Sequence, residues 1–123
     1  MNVSTLSGEK VASNASELLE ILRERYCERY AAFWLSHDLH PVLYFEISDR
    51  FAWLNFLEID DLPGVISRGN VPANAPDIEF MDDSKHMTMR PASWVIDVFA
   101  AERAALEFFG SGKQPNCVQW LEL

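Results

Sequence analysis

The chain has 123 residues, of which 49% are hydrophobic and 24% charged, and its formal net charge is −9. This composition is typical of one folded globular domain with a sizeable core, and it excludes a disordered chain. The acidic balance argues against direct binding of nucleic acid, which requires a basic surface.

The sequence favours a cytoplasmic protein. The first residues lack the basic start and apolar run of a signal peptide, and no apolar run is long enough to span a bilayer. Cys27 and Cys117 lie far apart and outside any metal-binding spacing, so we expect two reduced cysteines.

The first clear element is a helix that begins after Asn14. Asn14 and Glu17 have the spacing of a capping box. Apolar residues then recur at helical spacing, namely Leu18, Leu19, Ile21, Leu22 and Tyr26. The helix is predicted to end near Glu28 or Tyr30, and residues 1–13 are predicted to carry a short edge strand or to be frayed.

Three strands are predicted next, over residues 32–39, 42–48 and 51–59, with turns at residues 38–41 and 48–50. In the second strand Leu43, Phe45 and Ile47 share one face. The third strand has aromatic residues on both faces, which predicts that other elements cover it on both sides.

The second half of the chain predicts short strands at residues 65–67, 78–81 and 86–89, the last two joined by the acidic turn 82–85. Residues 69–76 form a long loop that contains two prolines, and such loops are often functional.

A helix over residues 94–109 and a strand over residues 117–123 close the chain. Ser93 is a candidate cap, and Gly110 to Gly112 supply the stop. The order of elements predicts an α+β fold in a single domain spanning residues 1–123. Its twisted, mainly antiparallel sheet would carry the N-terminal and C-terminal helices on one face and end in the final strand.

The residues give little indication of catalysis. His37 and His40 are spaced to bind a metal, but they lie in a turn and no third ligand is marked in the sequence. The phosphate-binding, dinucleotide-binding and hydrolase motifs are absent, and adjacent aspartates are more often a solvated turn than a catalytic pair. We therefore predict no catalytic residue, no cofactor and no metal.

The acidic residues are concentrated in the middle of the chain. Residues 58–83 hold seven acidic residues and one basic residue, Arg68, which is six of the nine excess negative charges. An acidic segment next to a long loop on a rigid frame is typical of a protein-binding module.

Two stretches carry a family resemblance. Phe108-Phe-Gly-Ser-Gly-Lys-Gln-Pro115 with Val118-Gln-Trp120, and Val65-Ile-Ser-Arg-Gly-Asn70, resemble immunity proteins of bacterial polymorphic (interbacterial) toxin systems. The resemblance covers most of the chain from the first helix onward. It is closest to the immunity protein that guards against a cytidine deaminase toxin acting on double-stranded DNA. The loop at residues 69–76 and the acidic segment depart from the family pattern.

The resemblance implies an antidote without enzymatic activity that binds a co-encoded toxin, often a zinc-dependent deaminase, and obstructs its active site. The charge pattern suggests that an acidic surface enters a basic cleft on a deaminase or nuclease. The predicted partner-binding residues are Glu58, Asp60, Asp61, Arg68, Asn70, Asp82 and Asp83, with one or two exposed aromatic residues as an apolar anchor.

Three other functions remain open from the sequence. The chain could be an acidic interaction domain without a toxin partner, or a structural domain that self-associates through its terminal strand. A small hydrolase that uses His37 and nearby acids is the third. We expect a monomer or weak homodimer when the protein is free.

Overall fold

The computed structural model describes residues 1–59, 63–72 and 74–122. These residues form two α-helices, α1 (Ala15–Leu22) and α2 (Val98–Ser111), and a short 3₁₀ turn at Ala92–Trp94. They also form ten strands: β1 (Asn2–Thr5), β2 (Gly8–Val11), β3 (Tyr30–Ser36), β4 (Val42–Ser48), β5 (Phe51–Leu57), β6 (Val65–Ser67), β7 (Ile78–Met81), β8 (Met87–Arg90), β9 (Ile96–Asp97) and β10 (Trp120–Glu122). No helix in the described part of the chain is long and apolar enough to cross a membrane.

Within the described residues, the main sheet is antiparallel and follows the order β10-β6-β5-β4-β3-β1-β2. β6 and β9 share the outer edge of β5: β6 pairs with Asn55 and Phe56, and β9 pairs with Phe51 and Ala52. β7 and β8 form a separate antiparallel hairpin.

The sheet buries apolar side chains on both faces. On one face both helices pack over a core that includes Phe33, Phe45, Phe56 and Phe108. On the other face a smaller core joins Tyr44 and Trp53 of the sheet to Phe80 of the β7–β8 hairpin. The predicted α+β class, the helices on the sheet and the final strand are therefore confirmed, as is the cover on both faces of β5.

The predicted extent of α1 is wrong at its C-terminal end. The predicted cap is present, since Asn14 accepts a hydrogen bond from the Glu17 backbone N–H at 2.9 Å. The helix ends at Leu22, however, because Cys27 and Glu28 adopt left-handed backbone angles (φ 52° and 62°) in a tight turn that leads into β3.

The predicted start of α2 is wrong for a different reason. Residues 95–97 leave the 3₁₀ turn in extended conformation, and Ile96 and Asp97 pair with β5 before the helix begins. Asp97, not Ser93, caps the helix by accepting the Ala100 backbone N–H at 2.9 Å. Gly112 supplies the left-handed stop with φ 66°.

Candidate partner-binding surfaces

A buried carboxylate holds the β7–β8 hairpin against the sheet. Glu46 of β4 has no exposed surface. It accepts hydrogen bonds from the Tyr44 hydroxyl, from Trp53 Nε1 at 2.6 Å, and from Arg90 Nε and Nη2 at 3.2 and 3.1 Å. The Arg90 guanidinium also lies 4.6 Å from the centroid of the Trp53 ring. One buried acid thus joins β4, β5 and β8.

Tyr44 is neutral in this cluster. Its burial, and then the adjacent Glu46 charge, raise the pKa of the Tyr44 phenol above its ordinary value. Tyr44 therefore remains a hydrogen-bond donor to Glu46 across the physiological pH range. A fully satisfied cluster of this kind fixes where the hairpin sits.

The turn of the hairpin is acidic and internally organised. The Asp82 carboxylate accepts the backbone N–H groups of His86 and Ser84, each at 2.9 Å. The backbone hydrogen bond from His86 is the main cause that lowers the pKa of Asp82 below its ordinary value. Asp83 accepts a hydrogen bond from Trp34 Nε1 at 2.9 Å, which ties the turn to β3.

Apolar side chains accompany these acids. Met87 and Met89 of β8 are 44% and 53% exposed, and Glu79 lies opposite Met89 in the hairpin register. Tyr26 is also exposed and lies under Lys85 of the turn, whose ammonium is 5.0 Å from the ring centroid. We call residues 78–90 the acidic hairpin, since its acids Glu79, Asp82 and Asp83 outnumber its basic residues Lys85 and Arg90, and Arg90 is paired with Glu46 of the sheet.

The predicted partner-binding residues do not all fall on this surface. Asp82 and Asp83 lie together in the hairpin turn. Glu58 lies just after β5 and borders a separate depression with Phe56, which belongs to the helix-side core. Asp60 and Asp61 lie outside the described residues.

Arg68 and Asn70 lie on a second surface, an open groove of about 600 Å³ at the edge of the sheet. Arg50, from the turn after β4, and Arg103, from α2, line the same groove. Among its described lining residues Asp97 alone is acidic, and that carboxylate caps α2. We call this surface the arginine groove, defined by Arg50, Arg68 and Arg103.

The groove exists because β6 leaves the edge of β5 where β9 takes its place. Ser67 is buried at this junction, where its hydroxyl accepts the Leu54 N–H at 2.9 Å and donates to the Trp94 carbonyl at 2.7 Å. Gly69 then passes so close to Val95 that a Cβ would clash with the Val95 carbonyl oxygen. These contacts position Arg68 and Asn70 beside β9.

Cys117 lies on the wall of the groove and is exposed. Its partial burial, and then the nearby Glu107 carboxylate, raise the pKa of the Cys117 thiol above its ordinary value. A thiol in this state is a poor nucleophile near neutral pH.

His37 makes a structural contact. Its Nε2 lies 2.8 Å from the Phe109 carbonyl oxygen, and its ring packs against Phe108 and Phe109. The β3–β4 turn is thereby fastened to the end of α2. The described residues contain no group of three or more histidine, cysteine or acidic side chains placed to hold a metal ion.

Sequence reasoning missed Arg50, Arg103, Met87 and Met89. In the sequence, residues 87–90 alternate methionine with a polar residue, and this alternation could have placed the two methionines on one face of a strand. The two arginines gave no local signal, because the groove joins segments that lie far apart in the sequence.

The acidic hairpin and the arginine groove are oppositely charged surfaces on one α+β fold, and such surfaces are typical of a protein that binds other proteins. The family model for immunity protein Imm1 matches residues 11–122, from the end of β2 through β10. The chain belongs to this family of immunity proteins, and its partner is therefore a cognate toxin. Comparison with curated proteins gave no match. The resemblance is confirmed for the family, whereas the deaminase toxin stays a prediction.

Proposed function

We propose that this immunity protein binds the catalytic domain of a toxin that acts on nucleic acid, a deaminase or nuclease, and blocks its substrate cleft. An enzyme that acts on nucleic acid holds phosphates with lysine and arginine, so its cleft is basic. An acidic protein is drawn to such a cleft by long-range attraction and excludes the substrate once it is bound.

The acidic hairpin is the observation that supports this mechanism. It exposes Glu79 and Asp83 together with two methionines, while Asp82 is half-buried and Lys85 is exposed in the same turn. Glu46 and Arg90 fix the hairpin to the sheet. Flexible, polarizable methionines suit an apolar contact, and the acids around them match a basic rim. The hairpin and its neighbours Tyr26 and Trp34 would form the centre of an interface of roughly 1,600 Å² in total.

The other acids predicted to bind the partner, Glu58, Asp60 and Asp61, are proposed to act through long-range attraction. Asp60 and Asp61 adjoin Glu58 in sequence, and all three would add to the attraction toward a basic cleft. We further propose that inhibition needs no catalysis by this chain, and that the protein acts in the cytoplasm of the cell that makes it.

Co-expression with the toxin domain encoded by the neighbouring gene tests this function. We expect cells to survive and the two proteins to co-purify as a stoichiometric complex. Survival without a complex would contradict the proposal and would favour an enzyme that acts on the product of the toxin.

Met89→Lys tests the role of the hairpin. It places a cation at the proposed contact and should weaken binding by at least about tenfold, which corresponds to 1.4 kcal/mol. Val11→Lys is the matched control, because Val11 is also an exposed apolar strand residue but lies on β2, at the far edge of the sheet. Equal affinities for the two variants would exclude the hairpin as the contact.

A further inference from the structure

We infer that the arginine groove binds an extended acidic segment of the toxin and so forms a second contact, opposite in charge to the acidic hairpin. The inference rests on the proposed function for the identity of the partner. The groove itself is defined by contacts that do not depend on that function.

The arginine groove gathers basic side chains that have no ion-pair partner among the described residues. Four of the other seven basic side chains form ion pairs with acids, namely Lys10–Glu24, Arg23–Glu102, Arg29–Asp49 and Arg90–Glu46. The remaining three, Arg25, Lys85 and Lys113, do not line the groove. Within the described ranges Arg50, Arg68 and Arg103 form no such pair. Six basic residues thus form no ion pair with a described acid, and three of the six lie around one groove in a protein with a net charge of −9.

Exposed guanidinium groups without an acidic partner can bind carboxylate ligands, and the Arg50 guanidinium also lies 5.2 Å from the centroid of the Phe51 ring. A guanidinium can bind a carboxylate through two parallel hydrogen bonds, and it keeps its charge at any physiological pH. The groove also offers the side-chain amides of Asn70 and Gln119, which can bind the main chain of a peptide.

The shape of the groove fits an extended peptide. β9 pairs with β5 along one edge, and its other edge has no strand partner among the described residues. The segment before β10 runs along the opposite wall through Cys117, Val118 and Gln119. An open strand edge facing a groove is the arrangement by which proteins accept an added strand.

The main chain around the groove disfavours a phosphate group. The N–H groups of Arg68 and Gly69 donate to the carbonyls of Gln119 and Ser93, so neither is free to bind an anion. The N-terminus of α2 is already capped by the Asp97 carboxylate, which would repel a phosphate placed there. Carboxylates spaced along a peptide can reach the separate arginines without approaching that terminus.

The groove and the acidic hairpin can contact the same partner, because Ile78, the first residue of β7, also lines the groove. A toxin with a basic cleft and a neighbouring acidic segment would meet both surfaces. Opposite charges at two adjoining contacts also fix the orientation of binding and disfavour partners with only one of them.

The test is the affinity of the toxin domain for Arg68→Glu and Arg103→Glu, with Lys113→Glu as the control. All three residues are exposed, and each change adds the same negative charge. If the toxin is basic, added negative charge alone strengthens attraction, and Lys113→Glu should show at most that effect. We expect Arg68→Glu and Arg103→Glu each to raise the Kd for the toxin by at least about tenfold despite the added negative charge. This corresponds to about 1.4 kcal/mol of binding free energy.

A short fluorescent peptide of alternating aspartate and valine, and oligothymidylate as a phosphate probe, test the groove without the toxin. If the toxin binds the wild type and all three variants equally, the groove inference is overturned while the proposed function stands. If the toxin does not bind the wild type, the proposed function fails. Binding of the aspartate–valine peptide to the immunity protein alone then tests the groove inference. Peptide binding that Arg68→Glu abolishes keeps the groove as an acidic-segment site, and absence of peptide binding overturns it. Oligothymidylate binding that Arg68→Glu abolishes, without peptide binding, also overturns the inference and assigns the groove to a phosphate ligand.

Discussion

One buried hydroxyl holds the junction from which the arginine groove is built. Ser67 has no exposed surface, and its side chain satisfies both the Leu54 N–H and the Trp94 carbonyl. Buried main-chain groups that lose their partner keep their desolvation penalty. The Ser67 oxygen thus acts together with the Gly69 N–H, which donates to the Ser93 carbonyl, to fix the position of β6 relative to β9.

Ser67→Ala should lower the free energy of unfolding by about 1–3 kcal/mol, because it leaves the Leu54 N–H and the Trp94 carbonyl without their hydrogen-bond partner. Urea denaturation followed by tryptophan fluorescence measures the change. Ser84→Ala, at an exposed position in the hairpin turn, should change the same quantity by less than about 0.5 kcal/mol. Similar values for the two variants would show that the Ser67 hydrogen bonds do not stabilise the junction.

The Asp82 carboxylate makes the hairpin turn sensitive to acid. Its pKa is lower in the folded protein than its ordinary value of 3.8, chiefly because the His86 N–H donates to it. The unfolded chain therefore binds a proton more readily than the folded one, so the contribution of Asp82 is present above pH 4 and is lost as the pH falls through the lower, folded pKa. The Asp82 side chain is only half-buried in a surface turn, and solvent screening keeps this contribution small.

Asp82→Asn should therefore destabilise the protein slightly at pH 7 and make less difference near pH 3, because the carboxyl of the unfolded chain is then below its ordinary pKa of 3.8 and binds a proton. Unfolding by urea at the two pH values measures this change. Asp77→Asn, at an exposed position just before β7, is the matched control measured at the same two pH values. A constant effect of Asp82→Asn across this range would exclude a role for the carboxylate charge in the turn.

At the scale of elements, the acidic hairpin is held to the sheet by a few specific contacts. Phe80 is fully buried against the sheet, and Arg90 reaches Glu46 from the other strand of the hairpin. If Glu46 is removed, Arg90 and Trp53 Nε1 both lose their acceptor. Breaking a buried pair from one side is much more costly than breaking an exposed one.

Glu46→Ala should lower the free energy of unfolding by on the order of 3 kcal/mol and should raise amide hydrogen exchange in β7 and β8 above that in β3 and β4. Hydrogen-exchange mass spectrometry resolves the two regions. Arg29→Ala breaks the exposed Arg29–Asp49 pair, whose atoms are 3.5 Å apart, and should cost less than about 1 kcal/mol. Uniform exchange across the Glu46→Ala protein would mean that this cluster stabilises the whole fold and does not specifically dock the hairpin.

The strands could be predicted from the sequence more accurately than the helix ends. The bounds of β4, β6 and β7 agree with the prediction, since turn-forming residues flank these apolar runs. The bounds predicted for the strands at residues 32–39 and 117–123 are wrong, because β3 covers Tyr30–Ser36 and β10 only Trp120–Glu122. The end of α1 could not be found this way, because helix-compatible charges continue past Leu22 into the tight turn at Cys27 and Glu28. The start of α2 was missed because both Ser93 and Asp97 are good caps, and only the pairing of β9 with β5 decides between them.

The two surfaces also differ in how far the sequence reveals them. Asp82 and Asp83 are adjacent in the chain, so their acidic cluster is visible without a structure. Arg50, Arg68 and Arg103 come from three distant segments that only the fold brings around one groove. The sequence therefore indicates an acidic protein, whereas the folded molecule has an acidic surface that adjoins a cationic one.

At the scale of the whole molecule, this arrangement predicts which charges control the rate of association with a basic toxin. Asp83→Asn and Glu79→Gln should each slow association and flatten its dependence on salt, because they remove charge within a Debye length of the proposed contact, about 8–10 Å. Glu20→Gln on α1 changes the net charge equally but lies on the opposite face of the sheet, and Glu58→Gln tests the separate depression beside Phe56. Stopped-flow measurements at low and physiological salt compare the four variants. If all four slow association equally, net charge alone attracts the toxin, and the acidic hairpin is not the surface that meets it.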